Sequence, residues 1–338
     1  MNKALSAAQV SLPAQPDERD LLAAIVEHAR PLQPLCEASA TVRALVAHIA
    51  AGSPFLSGLV RRYPEFAVEA LTTPPDQLFK ALCARLESEA ASAPSQSDLM
   101  RHLRVTRNHV ALLVALADIA GCWSCEQVTQ ALTRFADTAV KGAVNWLLEE
   151  AVEAGKLTPE NDQPPSDGYT VLAMGKHGAG ELNYSSDIDL IVLYDPEKTP
   201  VEQRDNAAQV YVRITRTLAS VLQDRTEDGY VFRIDLRLRP DPRATQIAIA
   251  VGAAENYYAS MGQNWERAAM IKARAVAGDL ELGQAFLKGL TPFVWRKYLD
   301  FAAIADVQSL KRQMHAHKGH DSIVVLGHNI KLGRGGIR

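Results

Sequence analysis

Apolar residues recur at three- and four-residue steps through most of the first 160 positions, a spacing that gathers them on one face of a helix. From Glu126 onward Val128, Leu132, Phe135, Ala139, Ala143 and Leu147 keep that step and predict one long helix against a core. Prolines punctuate the region in clusters, Pro31 with Pro34 and Pro74 with Pro75. The stretch KLTPENDQPPSDG, residues 156–168, is a linker by composition. The period then changes. YTVLAMG (169–175) is a short apolar strand, a glycine-rich turn follows, and IDLIVLY (188–194) is a second strand. Residues 201–223 return to a helical step through Val210, Ile214, Leu218 and Val221. YVFRIDLRLRP (230–240) alternates, with Phe232, Ile234, Leu236 and Leu238 on one face and Arg233, Asp235, Arg237 and Arg239 on the other. From about 252 the pattern is mostly helical again, ending in the glycine-rich NIKLGRGGIR. The fold expected is α+β: a helical region over 1–160, a mixed-sheet core over 166–275, and the start of a further helical region over 276–338.

Composition narrows the class. The 338 residues carry 36 basic and 39 acidic side chains, a formal net charge of −3, which argues against a nucleic-acid coat or a membrane-surface protein. No stretch approaches the roughly 18 uncharged apolar residues of a membrane span. The N-terminus lacks an apolar signal core, so no membrane partner and a cytoplasmic location are expected. Cys122 and Cys125 form C-W-S-C, but lack the flanking strand of a redox pair and the second ligand pair of a zinc site. They are expected as small, half-buried side chains at a helix junction.

Candidate chemistry centres on GKHGAGELNYSSDIDLIVLYD, residues 175–195. Period two puts Asp187 and Asp189 on one strand face, roughly 6.6 Å apart along the backbone. Asp235, on another polar-faced strand, completes a three-carboxylate cluster if the strands are neighbours. Uncompensated, such a cluster drives one pKa far up. A pair of Mg²⁺ ions resolves the conflict, because Mg²⁺ takes hard oxygen ligands and fills its shell with water and phosphate oxygens. Gly175 and Lys176 at the end of the first strand suit a backbone that approaches phosphate, with Ser186 nearby, and Arg237 and Arg239 would balance phosphate charge.

The set resembles the polymerase-β-type nucleotidyltransferase pattern. Taken with ELNYSSDIDL, RIDLRLRPD, NWERAAMIKARAVAGD (264–279), VWRKYLDFAAI (294–304) and NIKLGRGGIR, it resembles the glutamine synthetase adenylyltransferase/adenylyl-removing family. The resemblance spans residues 171–338, with the helical lead-in from about 95 to 150 fitting the same family. It implies a polymerase-β-like core flanked by helices, within a longer polypeptide carrying two nucleotidyltransferase copies. Asn183, Tyr184, Ser185 and Ser186, with the NWER and IKAR segments, look like the copy that removes AMP. The implied reaction is phosphorolysis of adenylyl-tyrosine on glutamine synthetase, releasing ADP, with Asp187 and Asp189 binding both metals and Asp235 orienting the attacking phosphate. Transfer of AMP from ATP, and a non-catalytic module binding nucleotide or the PII signal protein, are the alternatives.

The turn departs from the family pattern. His177 and Ala179-Gly180 stand where relatives are expected to carry leucine followed by Gly-Arg, so phosphate binding falls to Lys176 or another base. His177 itself is expected as a surface turn residue. Trp265 is expected to pack, Glu266 and Arg267 are left open, and Lys272 and Arg274 suit a strand face near the site. His315, His317 and His320 are expected on a solvated helix end.

Overall fold

The computed structural model describes residues 4–7, 18–160, 163–201 and 206–295. Its first half is a succession of helices whose starts follow local chemistry. After α1 (Glu18–Val26) and α2 (Gln33–Ala38), the helices α3 (Ala40–Gly52) and α4 (Pro54–Arg62) begin where the hydroxyls of Ser39 and Ser53 accept the amides of Val42 and Leu56. Each hydroxyl satisfies one N–H that a helix start leaves unpaired. α4, α5 (Pro64–Thr72) and α6 (Pro75–Ala91) carry proline in the first turn, where its missing N–H does no harm. α7 (Gln96–Ile119) starts at Ser95. α8 (Cys125–Glu153) starts at Ser124, whose hydroxyl accepts the Gln127 amide while the Gln127 side chain accepts the Ser124 amide. α8 is the long helix expected from Glu126, and Val128, Phe135, Ala139, Ala143 and Leu147 are buried along it. Cys122 is half-buried at the α7–α8 junction as expected, whereas Cys125 is exposed.

The second half is a small mixed sheet clothed by helices. β1 (Tyr169–Ala173) leads through the single turn α9 (Gly175–Gly178) to β2 (Ile188–Tyr194), which runs back antiparallel with Tyr194 opposite Tyr169. After α10 (Ala207–Gln223), two short strands cover the outer edge of β2 in succession. β3 (Ile234–Asp235) lies parallel beside Ile188–Asp189, and β4 (Ala248–Ala250) beside Val192–Tyr194. α11 (Val251–Ser260) and α12 (Asn264–Met270) precede β5 (Arg274–Gly278), which flanks β1 on its other side. α13 (Leu280–Gly289) and α14 (Thr291–Val294) follow, with α13 packed on β1 and β5.

Alternation along the strands divides the interior. Ile188, Leu190 and Val192 join Tyr169 and Val171 in a large core continuous with the helices of the first half. Ile191 and Leu193 join Leu172, Met174, Tyr258 and Phe286 in a smaller core under α11 and α13. By the same parity Asp189 faces the second side. The large core draws on residues from Leu5 to Ala277 and so spans the expected boundary near 160, while β5 runs through the one at 275.

One expected strand is not formed. The run 230–240 is not a single alternating strand, since only Ile234 and Asp235 pair. The side chain of Asp235 accepts the Arg237 amide two residues on (2.8 Å), a local turn that competes with the ladder and ends the strand. Among the described residues no helix is long and apolar enough to cross a membrane. VWRKYLDFAAI beyond Trp295, the three histidines from His315 to His320, and NIKLGRGGIR lie outside the described residues.

Candidate active site

Parallel pairing of β2 with β3 sets Asp189 directly opposite Asp235, and Asp187 precedes β2 by one residue. The structure thus brings the three carboxylates to one end of the sheet. Asp189 also lies over the turn after β1. Its backbone carbonyl accepts the Met174 amide (2.9 Å), and a Cβ added to Gly175 would stand 2.8 Å from its Oδ2. Gly175 has φ +56°, so both backbone and space require glycine there. Lys176 follows, exposed on α9, and Ser186 sits half-buried beside Asp187.

Two arginines balance the carboxylates. Arg233 Nε donates to Asp187, its Nη2 to the Ser185 carbonyl (2.6 Å) and its Nη1 to the Tyr230 hydroxyl (2.8 Å). Arg237 Nε donates to both oxygens of Asp235 at 3.0 Å. The hydrogen bonds from Arg237 hold the Asp235 carboxyl below its ordinary pKa, against the opposing pull of burial. Arg239 does other work. Its guanidinium donates to the carbonyls of Leu236, Pro242 and Thr245, clamping the loop between β3 and β4.

A network that the sequence did not disclose supports the turn from behind. His177 is buried, not on the surface, and its Nε2 meets Asp137 Oδ1 of α8 at 2.8 Å. Arg274 at the start of β5 donates to both oxygens of Asp137 at 3.0 Å, and to the His177 carbonyl at 3.3 Å. Burial pushes the Asp137 carboxyl up, but hydrogen bonds from His177 and Arg274 outweigh it and leave the pKa lowered. Lys272 pairs instead with Glu181, 3.0 Å away on the surface. Trp265 is 38% exposed and so is not the packing residue expected. Its neighbour Glu266 is buried, accepting the Gln263 amide (2.8 Å) and the Tyr257 hydroxyl (3.1 Å). Nothing in the sequence joins Asp137 to Arg274, because only the tertiary fold makes them neighbours.

By donor chemistry the three carboxylates fit hard divalent cations. Among the described residues no three acidic, histidine or cysteine side chains are arranged around one metal position. Asp187 and Asp235 are turned onto Arg233 and Arg237, guanidinium charges that hold the place of a cation. The fit therefore requires these carboxylates to rotate off their arginines.

Carboxylates on adjacent strand ends, set over a glycine turn, are the arrangement in question when the chain is compared with known proteins. The family model described as glutamate-ammonia ligase adenylyltransferase matches residues 43–289. The chain belongs to this family. It is 52% identical over 298 residues to a bifunctional glutamine synthetase adenylyltransferase/adenylyl-removing enzyme of Xanthobacter autotrophicus, covering 88% of this chain and 30% of that one. The like-named protein of Rhizobium meliloti is 53% identical over 296 residues, 85% of this chain and 30% of the relative. That of Bradyrhizobium diazoefficiens is 50% identical over 298 residues, again 30% of its length. The chain spans under a third of the curated relatives it matches.

Proposed function

We propose that the chain removes AMP from an adenylylated tyrosine of glutamine synthetase by phosphorolysis, releasing ADP, and that it acts in the cytoplasm under control of the PII signal protein. The observation that supports it is Asp189 set against the Gly175 turn and opposite Asp235, with Asp187 one residue before β2. The removing direction rests on the likeness of Asn183–Ser186 and of the 264–274 segment to the AMP-removing copy.

Asp187, Asp189 and Asp235 would hold Mg²⁺, which when bound would withdraw electron density from the phosphoryl group and stabilise negative charge on the oxygens entering and leaving it. Gly175 lets the turn's N–H groups come close to the incoming phosphate, with Lys176 beside them. Arg237, once Asp235 is engaged elsewhere, is free to neutralise phosphate oxygens; Arg233 stands likewise beside Asp187. A phosphate oxygen forms the new P–O bond, the P–O bond to the tyrosine breaks, and the phenolate takes a proton from water. Positioning and charge balance carry such a displacement, with no covalent intermediate.

The test mixes the chain with adenylylated glutamine synthetase, Mg²⁺ and phosphate, and follows ADP. Phosphate-dependent ADP supports the reading. Incorporation of AMP from ATP into unmodified glutamine synthetase, without ADP release in the first assay, reverses the direction. Silence in both assays leaves a nucleotide- or PII-binding module.

A further inference from the structure

Behind Arg233 lies a cavity of about 360 Å³, between α4, α7 and α8 on one side and segments 182–186 and 230–232 on the other. That volume lies in the ~300–1,000 Å³ range of small-ligand sites. Rings and aliphatic groups line it: Phe55, Leu132, Phe135, Tyr184, Tyr230 and Phe232. Phe55 and Tyr184 are 48% and 41% exposed. Arg107 lies in the wall, its guanidinium 5.0 Å from the Phe55 ring centre and 5.7 Å from that of Tyr230, so a cation already stands among aromatic faces.

The cavity is joined to the carboxylates. Arg233 bonds at once to Asp187, to the Ser185 carbonyl and to the Tyr230 hydroxyl, and the last two residues are cavity wall. Ser185 has φ +51°, a left-handed conformation that a non-glycine residue adopts only when its surroundings impose it. Ser186 also lines the cavity, and Asp187 is one ~3.8 Å Cα step further on.

Topology decides which group belongs there. The Gly175 turn follows β1, on one side of β2, while Tyr230–Phe232 lead into β3 on the other side. In an in-line displacement the arriving and departing oxygens lie on opposite sides of the phosphorus. A phosphate held at the Gly175 turn therefore directs the departing phenol toward the β3 side. The lining suits a ring with few polar atoms, and Asp118, a polar wall residue, already accepts the Tyr184 hydroxyl at 2.9 Å.

We propose that this cavity is the subsite for the tyrosine ring that bears the nucleotidyl group, held between the Phe55–Tyr230 wall and α8 with its oxygen at Asp187. The assignment rests on the function proposed above, but its test needs no turnover. The probes are AMP and O-adenylyl-N-acetyltyrosinamide, bound in the presence of Mg²⁺ and measured by calorimetry. The ratio of their dissociation constants reports what the tyrosine ring adds. The ratio should favour the tyrosyl probe at least tenfold in the unaltered chain. It should fall toward one in Ala111→Phe, which fills the cavity from α7, while AMP binding stays within twofold. Phe55→Ala, at the exposed rim, should shift it the same way and serves if Ala111→Phe does not fold. No gain from the ring, or a ratio untouched by both variants, overturns the proposal. An equal loss for both probes overturns it in favour of adenine as the occupant. ADP release from adenylylated glutamine synthetase separately decides the direction of reaction, and the binding ratio stands whichever way that falls.

Discussion

Asp189 lays its carboxylate against a turn that only glycine can make, and consequences follow side chain by side chain. Asp187→Asn or Asp189→Asn keeps size and removes charge, so activity should fall by a factor of ~100 or more. Melting temperatures should move little, because neither residue belongs to the hydrophobic core. A variant with near-normal ADP release would remove that residue from the site. Gly175→Ala meets both a positive φ and a Cβ 2.8 Å from Asp189 Oδ2. It should lose about 1–2 kcal/mol in urea melts and raise the KM for phosphate. This much was legible in the sequence, since paired aspartates at the mouth of an apolar strand demand counter-charge and a glycine before them marks a close approach. Arg239 was not legible. Its place in the alternation promised the same face as Asp235, yet the turn that Asp235 itself closes swings Arg239 into the loop beyond.

Between elements, the tie from α8 to α9 and β5 through Asp137, His177 and Arg274 is the feature the sequence hid most completely. Helical periodicity identified the apolar side of α8 but says nothing of what a carboxylate at 137 meets some 40 and 137 residues later. Asp137→Asn should lower stability by about 1–3 kcal/mol, because it leaves Arg274 and the buried His177 with a weaker partner. The pH dependence has a definite sign. The folded pKa of Asp137 lies below its unfolded value, so the carboxylate stabilises the fold above about pH 4 and that contribution is lost as pH falls through the folded pKa. Denaturation of the variant and the unaltered chain should therefore differ fully at pH 7 and converge as pH falls through the folded pKa. A difference independent of pH would assign the loss to packing.

Across the whole molecule, the larger of the two cores draws on the helices of the first half and on one face of the sheet. Polar ties reinforce it. Arg104 of α7 is fully buried and donates to the carbonyls of Gly229 (2.9 Å), Asp224 and Met100 (2.9 Å), and Asn108 donates to the Asp228 carbonyl (3.2 Å). Arg104→Ala strands those acceptors and should cost about 3 kcal/mol in chemical denaturation. The chain should unfold in one transition, and residues 163–295 made without α1–α8 should fail to fold cooperatively. Its four tryptophans sit unevenly across this shared interior. Trp123 is buried with its indole N–H on Asp76 (2.9 Å), and Trp146 donates to the Ala93 carbonyl (2.8 Å). Trp265 and Trp295 are exposed, and none lies in a strand. Most of the indole emission that shifts red in urea thus comes from the helical half, while the strand residues Tyr169 and Tyr194, in ring contact with Tyr211 of α10, stay dark at wavelengths that excite only tryptophan. Fluorescence excited there chiefly times the helical half, and its agreement with a probe of the strands is the optical signature of the core that the two halves share.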